Sequence, residues 1–181
     1  MSHHHLERTL VIIKPDGLER NLVGEIVTRF ERTGLKIKAL KMMRATADLV
    51  ENHYTLDPSW KDSVGQKTLT SYAEKGLTPP SHDPIELADA VLKRLVTYMV
   101  SGPVIAMVLE GFHAVKIVRK IVGGTEPLSS AMGTIRGDYV VDSYQLAVDE
   151  DRSVRNLVHA SGSVKEAEDE IAHWFTKEEI I

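Results

Sequence analysis

The first apolar run of the chain, Thr9-Leu10-Val11-Ile12-Ile13, is cut off by Lys14-Pro15-Asp16-Gly17. A short run bounded by turn residues predicts a buried strand entering a turn. Val23, Ile26, Val27 and Phe30 then recur at spacings of three and four up to Gly34, the pattern of an amphipathic helix with a glycine stop. Leu35, Ile37 and Ala39 alternate with Lys36 and Lys38, which predicts a half-exposed strand. Thr46 is a candidate N-cap for a helix over residues 46–56. Residues 57–86 are less regular, with room for one helix before the proline-rich loop "LTPPSHDP".

The second half repeats these alternations. "IELADAVLKRLVTYMVSG" predicts a helix, "PVIAMVLEG" the clearest strand of the chain, and "FHAVKIVRKIVGG" a helix ended by a glycine pair. Residues 125–143 read as irregular, with a short strand near Tyr139–Val141. "NLVHAS" reads as a strand and "SVKEAEDEIAHWF" as a helix. Repeated crossing between strand and helix predicts an α/β protein with helices packed over a sheet. Without repeats or a flexible linker, the 181 residues fit one domain.

Composition narrows the function more than the fold. Net charge is −4, which disfavours a general nucleic-acid or anionic-membrane binder while leaving room for a local cationic pocket. There is no cysteine, so disulfides, thiolate catalysis and Cys-based zinc sites are excluded. No apolar run approaches the ~20 residues that span a bilayer. The start, "MSHHHLERTL", has no signal-peptide pattern, and its histidines are set aside.

Candidate chemistry gathers near the C-terminus. Ser163 and Glu166 have the spacing of a capping box, so a helix should begin just after His159 and its small neighbours. Val164, Ala167, Ile171 and Trp174 form the expected buried stripe of that helix. Glu170 lies beside the stripe, where it would either hold an imidazole nitrogen or stay solvated. From spacing alone the solvated reading is the stronger, and Glu168 flanks the other edge as well. Lys14, Arg119 and Arg136 are cations of the kinds that bind phosphate, though each alone reads as a surface charge. There is no Walker motif, no G-x-G-x-x-G and no H-E-x-x-H. His53, His82, His113 and His173 lack ligand spacing and read as surface or packing residues.

Taken in order, "ERTLVIIKPDG", "LVGEIVTRFERTGLKIKALKMMRAT", "HYTL", "SGPVIAMVLEG", "VRKIVGGTEP", "GTIRGDY" and "NLVHASGSVKEAEDEIAHWF" resemble the nucleoside diphosphate kinases. The "IKPDG", "GTIRGD" and N-x-x-H-x-S elements carry most of the specificity. The resemblance implies a ferredoxin-like α+β sandwich with an antiparallel sheet covered by helices. It implies transfer of the terminal phosphoryl group of a nucleoside triphosphate to a nucleoside diphosphate, by a ping-pong route through a phosphohistidine, with Mg²⁺ bound mainly through the nucleotide phosphates and no metal ligand from the protein. His159 matches the nucleophile, Glu170 the carboxylate that orients it, and Ser161 the serine that fixes the carboxylate. Lys14, Tyr54, Arg119, Thr125, Arg136 and Asn156 match the phosphate- and ribose-holding residues, and Lys14 also counts as catalytic.

The departures from the family pattern lie in two insertions, at about residues 57–94 and 141–155. The first displaces the base-stacking aromatic. Aligned from its C-terminal end, that position falls near Val91, while Trp60 or Tyr72 offers an alternative platform. Ala160 and Gly162 stand where the family usually has glycine and aspartate. The resemblance further implies a homo-oligomer, hexamer or tetramer, in the cytoplasm, with nucleotides as partners and neither membrane nor nucleic acid. A catalytically weak relative serving as a nucleotide-binding scaffold or sensor is the alternative. An RNA-binding sheet is disfavoured because "PVIAMVLEG" has no aromatic residue and only Tyr139 falls in a candidate strand.

Overall fold

A computed structural model describes residues 5–74 and 76–181. His3 and His4 lie outside them. The first strand, β1 (Leu6–Ile13), feeds a short helix α1 (Pro15–Glu19) at the expected Pro-Asp-Gly turn, then α2 (Val23–Glu31). β2 (Lys36–Met43), α3 (Ala47–Tyr54), α4 (Trp60–Glu74) and α5 (Pro84–Val100) follow. β3 (Val104–Phe112) and α6 (Ala114–Val122) lead to two short helices, α7 (Ile135–Tyr139) and α8 (Tyr144–Asp149). The chain closes with β4 (Val158–Ala160) and α9 (Val164–Trp174).

The four strands form one sheet in the order β2-β3-β1-β4, with every neighbouring pair antiparallel. β1 is central, and its residues alternate between two cores. Val11 and Ile13 pack with Ile26, Phe30, Val118 and Val122 from α2 and α6. Leu10 and Ile12 pack with Val50, Met99, Ile171 and Trp174 from α3, α5 and α9. This is the expected α+β sandwich. From Thr9 onward both faces of β1 are dry, which is why residues 10–13 form a continuous apolar run rather than an alternating one.

Three local expectations change. The pairing of β2 with β3 shifts register between Ile37 and Ala39, so Ile37 packs on the α2/α6 side while Ala39 packs on the α5/α9 side. An extra residue in a strand reverses the face of everything after it. The strand expected near Tyr139–Val141 is absent. Thr134 accepts a hydrogen bond from the Gly137 amide and starts α7 there instead, and Val141 is fully exposed with no strand beside it. Residues Tyr144–Asp149 form α8, capped by Ser143. On α9 the stripe holds at Ala167, Ile171 and Trp174, but Val164 at the first turn is exposed.

The segment after Asp57, expected to be less regular, forms α4, which lies along α5. Gly65 is the one buried residue recorded for α4, and a Cβ there would run into the backbone carbonyl of Pro84 at the start of α5. The helices approach closely because that side chain is missing. Gly65→Ala should therefore lower stability by about 1–3 kcal/mol, despite alanine's better helix propensity, as read by urea unfolding.

Candidate active site

His159 owes its place to a locked strand entry. Leu157 just before it has φ of 62°, the left-handed region that a leucine adopts only at a cost. Its amide donates to Asp16 Oδ2 at 3.2 Å and its carbonyl accepts from the Lys14 amide at 2.8 Å. The turn after β1 thus fixes the start of β4, and His159 pairs with Ile12 across the sheet. Lys14 and His159, far apart in sequence, become neighbours at the ends of adjacent strands.

The ring is nearly buried and faces a carboxylate. Glu170 Oε1 stands 2.8 Å from His159 Nε2, with Glu170 itself buried. The approach is off the N–H direction, so Nε2 has no aligned hydrogen bond. The other carboxylate oxygen accepts from the Ser161 hydroxyl at 2.6 Å, and that hydroxyl accepts from the Leu10 amide at 3.1 Å. Central strand, serine and carboxylate form one continuous support. The solvated reading of Glu170 is therefore overturned. Its polar partner lies on β4, and the α9 register turns it inward beside Ala167 and Ile171.

Electrostatics keep the ring uncharged. Burial first, and the nearby Lys14 ammonium second, push His159 down to about 3, well below the ordinary imidazole value. Burial pushes Glu170 up, against the opposing pull of His53 and Ser161. At neutral pH the ring therefore carries a free lone pair without needing a separate base to deprotonate it.

The structure brings Lys14, Arg119 and Arg136 together around one cleft. Lys14 Nζ donates to Asn156 Oδ1 at 2.8 Å and lies 5.1 Å from the centre of the Tyr98 ring. Burial, then Arg136, pushes it down to about 7. Arg136 is buried and spends its fork on backbone carbonyls of Asn156, Gly123, Gly124 and Val158. Arg119 is more exposed and reaches the Ala160 carbonyl at 3.4 Å. Asn156 Nδ2 donates to the Thr125 carbonyl at 2.9 Å, tying the loop after α6 to the strand of His159.

These groups line a cleft of about 1110 Å³, together with Tyr54. Trp60, Tyr72 and Val91, the three candidates for the base platform, all lie in its wall. Trp60 sits with its ring 5.8 Å from that of Tyr54. The wall also includes Tyr144 and Val148 of α8, which sequence reasoning did not select. Residues from α4, α5 and α8 thus reach the cleft. Ser161 stands behind Glu170, outside the wall. Gly162, at the usual aspartate position, donates its amide to Glu166 at 2.8 Å, so a carboxylate one turn into α9 occupies that place.

The further residue missed was His53. It is buried, and its ring centre lies 4.5 Å from that of His159, nearly perpendicular to it. As a lone histidine on a helix it gives no spacing signal; only its place before Tyr54 in the "HY" pair pointed toward the site.

A dry, uncharged imidazole beside converging cations suits the movement of a phosphoryl group, and the class so defined is a nucleotide phosphotransferase of ferredoxin-like fold. Comparison with known proteins supplies the family. The family model for nucleoside diphosphate kinase matches residues 7–71 and 86–180, and the chain belongs to that family. The nucleoside diphosphate kinase of Pyrobaculum aerophilum is 51% identical over 180 residues, covering 97% of this chain and 98% of its own. That of Archaeoglobus fulgidus is 40% identical over 97% of this chain and 91% of its own. The crystal structure of the NDP kinase from Pyrobaculum aerophilum superposes with a TM-score of 0.93 at 50% identity, over 97% of this chain and 99% of its own. A nucleoside-diphosphate kinase from Borrelia burgdorferi, solved as a transition-state mimic with vanadate and ADP, reaches 0.80 at 34% identity, over 98% and 91%. The activity is that of a nucleoside diphosphate kinase, a phosphotransferase acting on nucleotides.

Proposed function

We propose that His159 carries the phosphoryl group. The observation that supports this most directly is the 2.8 Å approach of Glu170 to Nε2. A carboxylate there favours the tautomer with its proton on Nε2, which leaves Nδ1 with the lone pair. Nδ1 attacks the terminal phosphorus of a bound triphosphate. The N–P bond forms as the bond to the bridging oxygen breaks, and the diphosphate leaves with the electron pair. The imidazolium character that develops is stabilised by Glu170. A second nucleoside diphosphate then enters and takes the group by the reverse steps. Splitting the transfer this way lets one cleft serve donor and acceptor in turn.

Lys14, Arg119 and Arg136 stabilise charge on the transferring oxygens. Asn156 positions Lys14, and Tyr54 and Thr125 complete the nucleotide cradle, with the base held between the inserted wall residues. The Borrelia relative, solved with vanadate and ADP as a transition-state mimic, supports phosphoryl transfer on a nucleotide by this fold. Mg²⁺ would neutralise phosphate oxygens and fit through the nucleotide rather than a protein cage. The one candidate ligand cluster among the described residues is His53, His159 and Glu170, rich in nitrogen and dry, while Mg²⁺ prefers oxygens and retains water. We read the chain as a single domain with the insertions at about 57–94 and 141–155 added to the cleft, acting as a cytoplasmic homo-oligomer. No helix among the described residues is long and apolar enough to cross a membrane.

Incubation with ATP labelled on the terminal phosphate, then GDP, tests this reading. Acid-labile label should appear on the protein and pass to GDP. Bound nucleotide without transfer would contradict it.

Lys14 adds a linked prediction. Its ammonium is pushed down to about 7 in the empty cleft, and a nearby phosphate raises it again. Nucleotide binding near pH 8 should therefore take up a proton at Lys14. Calorimetry in buffers of different ionisation enthalpy should show that uptake, and Lys14→Met should lose it.

A further inference from the structure

We propose that His53 is a positioning residue for phosphoryl transfer, holding Glu170 and the rim of the His159 ring so that Nδ1 of His159 faces the cleft; this rests on the reading of His159 as nucleophile.

The tautomer of His53 follows from its neighbour. Trp174 Nε1 donates to His53 Nδ1 at 3.2 Å. An indole N–H can only donate, so Nδ1 of His53 is the acceptor. In a neutral ring the proton then sits on Nε2. Burial, then the proximity of His159, pushes His53 down to about 3, so the ring is neutral at working pH. Nε2 stands 3.7 Å from Glu170 Oε1, the same oxygen that faces His159. Two imidazoles thus flank one carboxylate oxygen from two elements, α3 and β4. Ser161 holds the other oxygen, and His173 and Lys14 act on this group from farther off.

The distances show what this arrangement does. At 3.7 Å the His53 N–H is beyond hydrogen-bond range but within reach of a small carboxylate shift. When His159 gains positive character, Oε1 is drawn to it. When the phosphoryl group departs, the His53 N–H holds the carboxylate near its resting place. The two rings meet edge to face, which also prevents His159 from turning about its ring axis. The same tautomer argues against a cation held by these three side chains, because binding through Nε2 of His53 would move its proton to Nδ1 and set it against the indole N–H.

The test uses the full-length protein and four variants. His53→Phe keeps a ring but no N–H. His53→Gln restores an N–H near the Nε2 position. Trp174→Phe removes the indole donor and releases the tautomer. His159→Ala checks the underlying reading. The rate of phosphoenzyme formation, the Kd for ADP, and the ¹⁵N resonances of His159 are recorded for each foldable variant. His53→Phe should slow phosphoenzyme formation about 10–100-fold, with Kd for ADP unchanged within about twofold. The His159 resonances should shift from a single Nε2–H tautomer to a mixture. His53→Gln should recover most of the rate, and Trp174→Phe should show a smaller loss with the same tautomer shift.

The inference is overturned if His53→Phe phosphorylates at the wild-type rate with an unchanged His159 tautomer. It is also overturned if Phe and Gln lose rate and ADP binding alike, since that pattern means packing alone. Should His53→Phe fail to fold, Trp174→Phe decides: an unchanged rate and tautomer reject the inference. A His159→Ala protein that still forms acid-labile phosphoenzyme would sink the underlying reading rather than this one.

Discussion

His159→Ala should lower kcat by at least ~10⁴-fold while nucleotide affinity stays within a few-fold of wild type. Removing the nucleophile of a covalent mechanism removes the route itself, and the remaining machinery supplies only positioning and charge. The groups expected to hold the nucleotide do not depend on the ring. Lys14 is tied to Asn156, and Arg136 to four backbone carbonyls. The variant should therefore still bind ADP, and isothermal titration beside a coupled assay separates the two effects. A tenfold loss of kcat, or an equal loss of binding, would show that the imidazole does not carry the phosphoryl group.

The second large effect is expected at Arg136. Its guanidinium faces the cleft, yet it also serves as a buried clamp joining the end of α6 to the segment that leads into β4. Burial, then Arg119, pushes it down to about 10, still charged at neutral pH. Arg136→Met would leave the carbonyls of Asn156, Gly123, Gly124 and Val158 without this donor. Breaking such a buried, charge-assisted network costs roughly 3–5 kcal/mol. Loss of one donor to the transferring oxygens costs about 10²–10³-fold in kcat. Thermal unfolding and single-turnover kinetics should therefore both fall. Arg119→Met, with a half-exposed guanidinium and one long backbone contact, should lose rate with little loss of stability.

The contrast between these two arginines explains how much of the site was legible. Both are single cations in the sequence, and nothing local separates the exposed one from the buried clamp. Burial depends on the loop after α6 closing over β4, a contact between segments more than ten residues apart in the chain. Resemblance to known motifs picked out both; spacing and periodicity could not. The same holds for Glu170, whose inward turn is decided by a strand partner on β4.

Elements fared better where one physical cue dominated. The apolar run of β1, the three- and four-residue spacing on α2 and α6, and the caps at Thr46, Thr134 and Ser163 have local causes, although the cap at Thr134 was read only in the structure. The errors came where a local cue met a tertiary one. Alternation around Ile37 and Ala39 suggested one face, but the register shift split them. Val140 and Val141 are β-branched, yet the cap at Thr134 starts a helix that runs through Tyr139, and Val141 is left exposed. α4 has weak amphipathic character, and its packing depends on the absence of a side chain at Gly65. His53 gave no signal because its role is defined by Trp174 and Glu170, both more than a hundred residues away.

The α4, α5 and α8 residues of the cleft wall are expected to bear on specificity more than on chemistry. Trp60, Tyr72, Val91, Tyr144 and Val148 all line the cleft. The groups that support the imidazole come instead from β1, β4, α9 and α3, through Leu10, Ser161, Glu170 and His53. Substitutions at these wall positions should therefore alter which base is preferred and leave the transfer step intact.

The most direct measurement is the position of the phosphoryl group on the protein. Brief mixing with ATP labelled on its terminal phosphate, alkaline quenching and peptide mapping should place an acid-labile, alkali-stable label on His159, and ³¹P–¹⁵N correlation should assign it to Nδ1. Label on another residue, or on Nε2, would contradict the account.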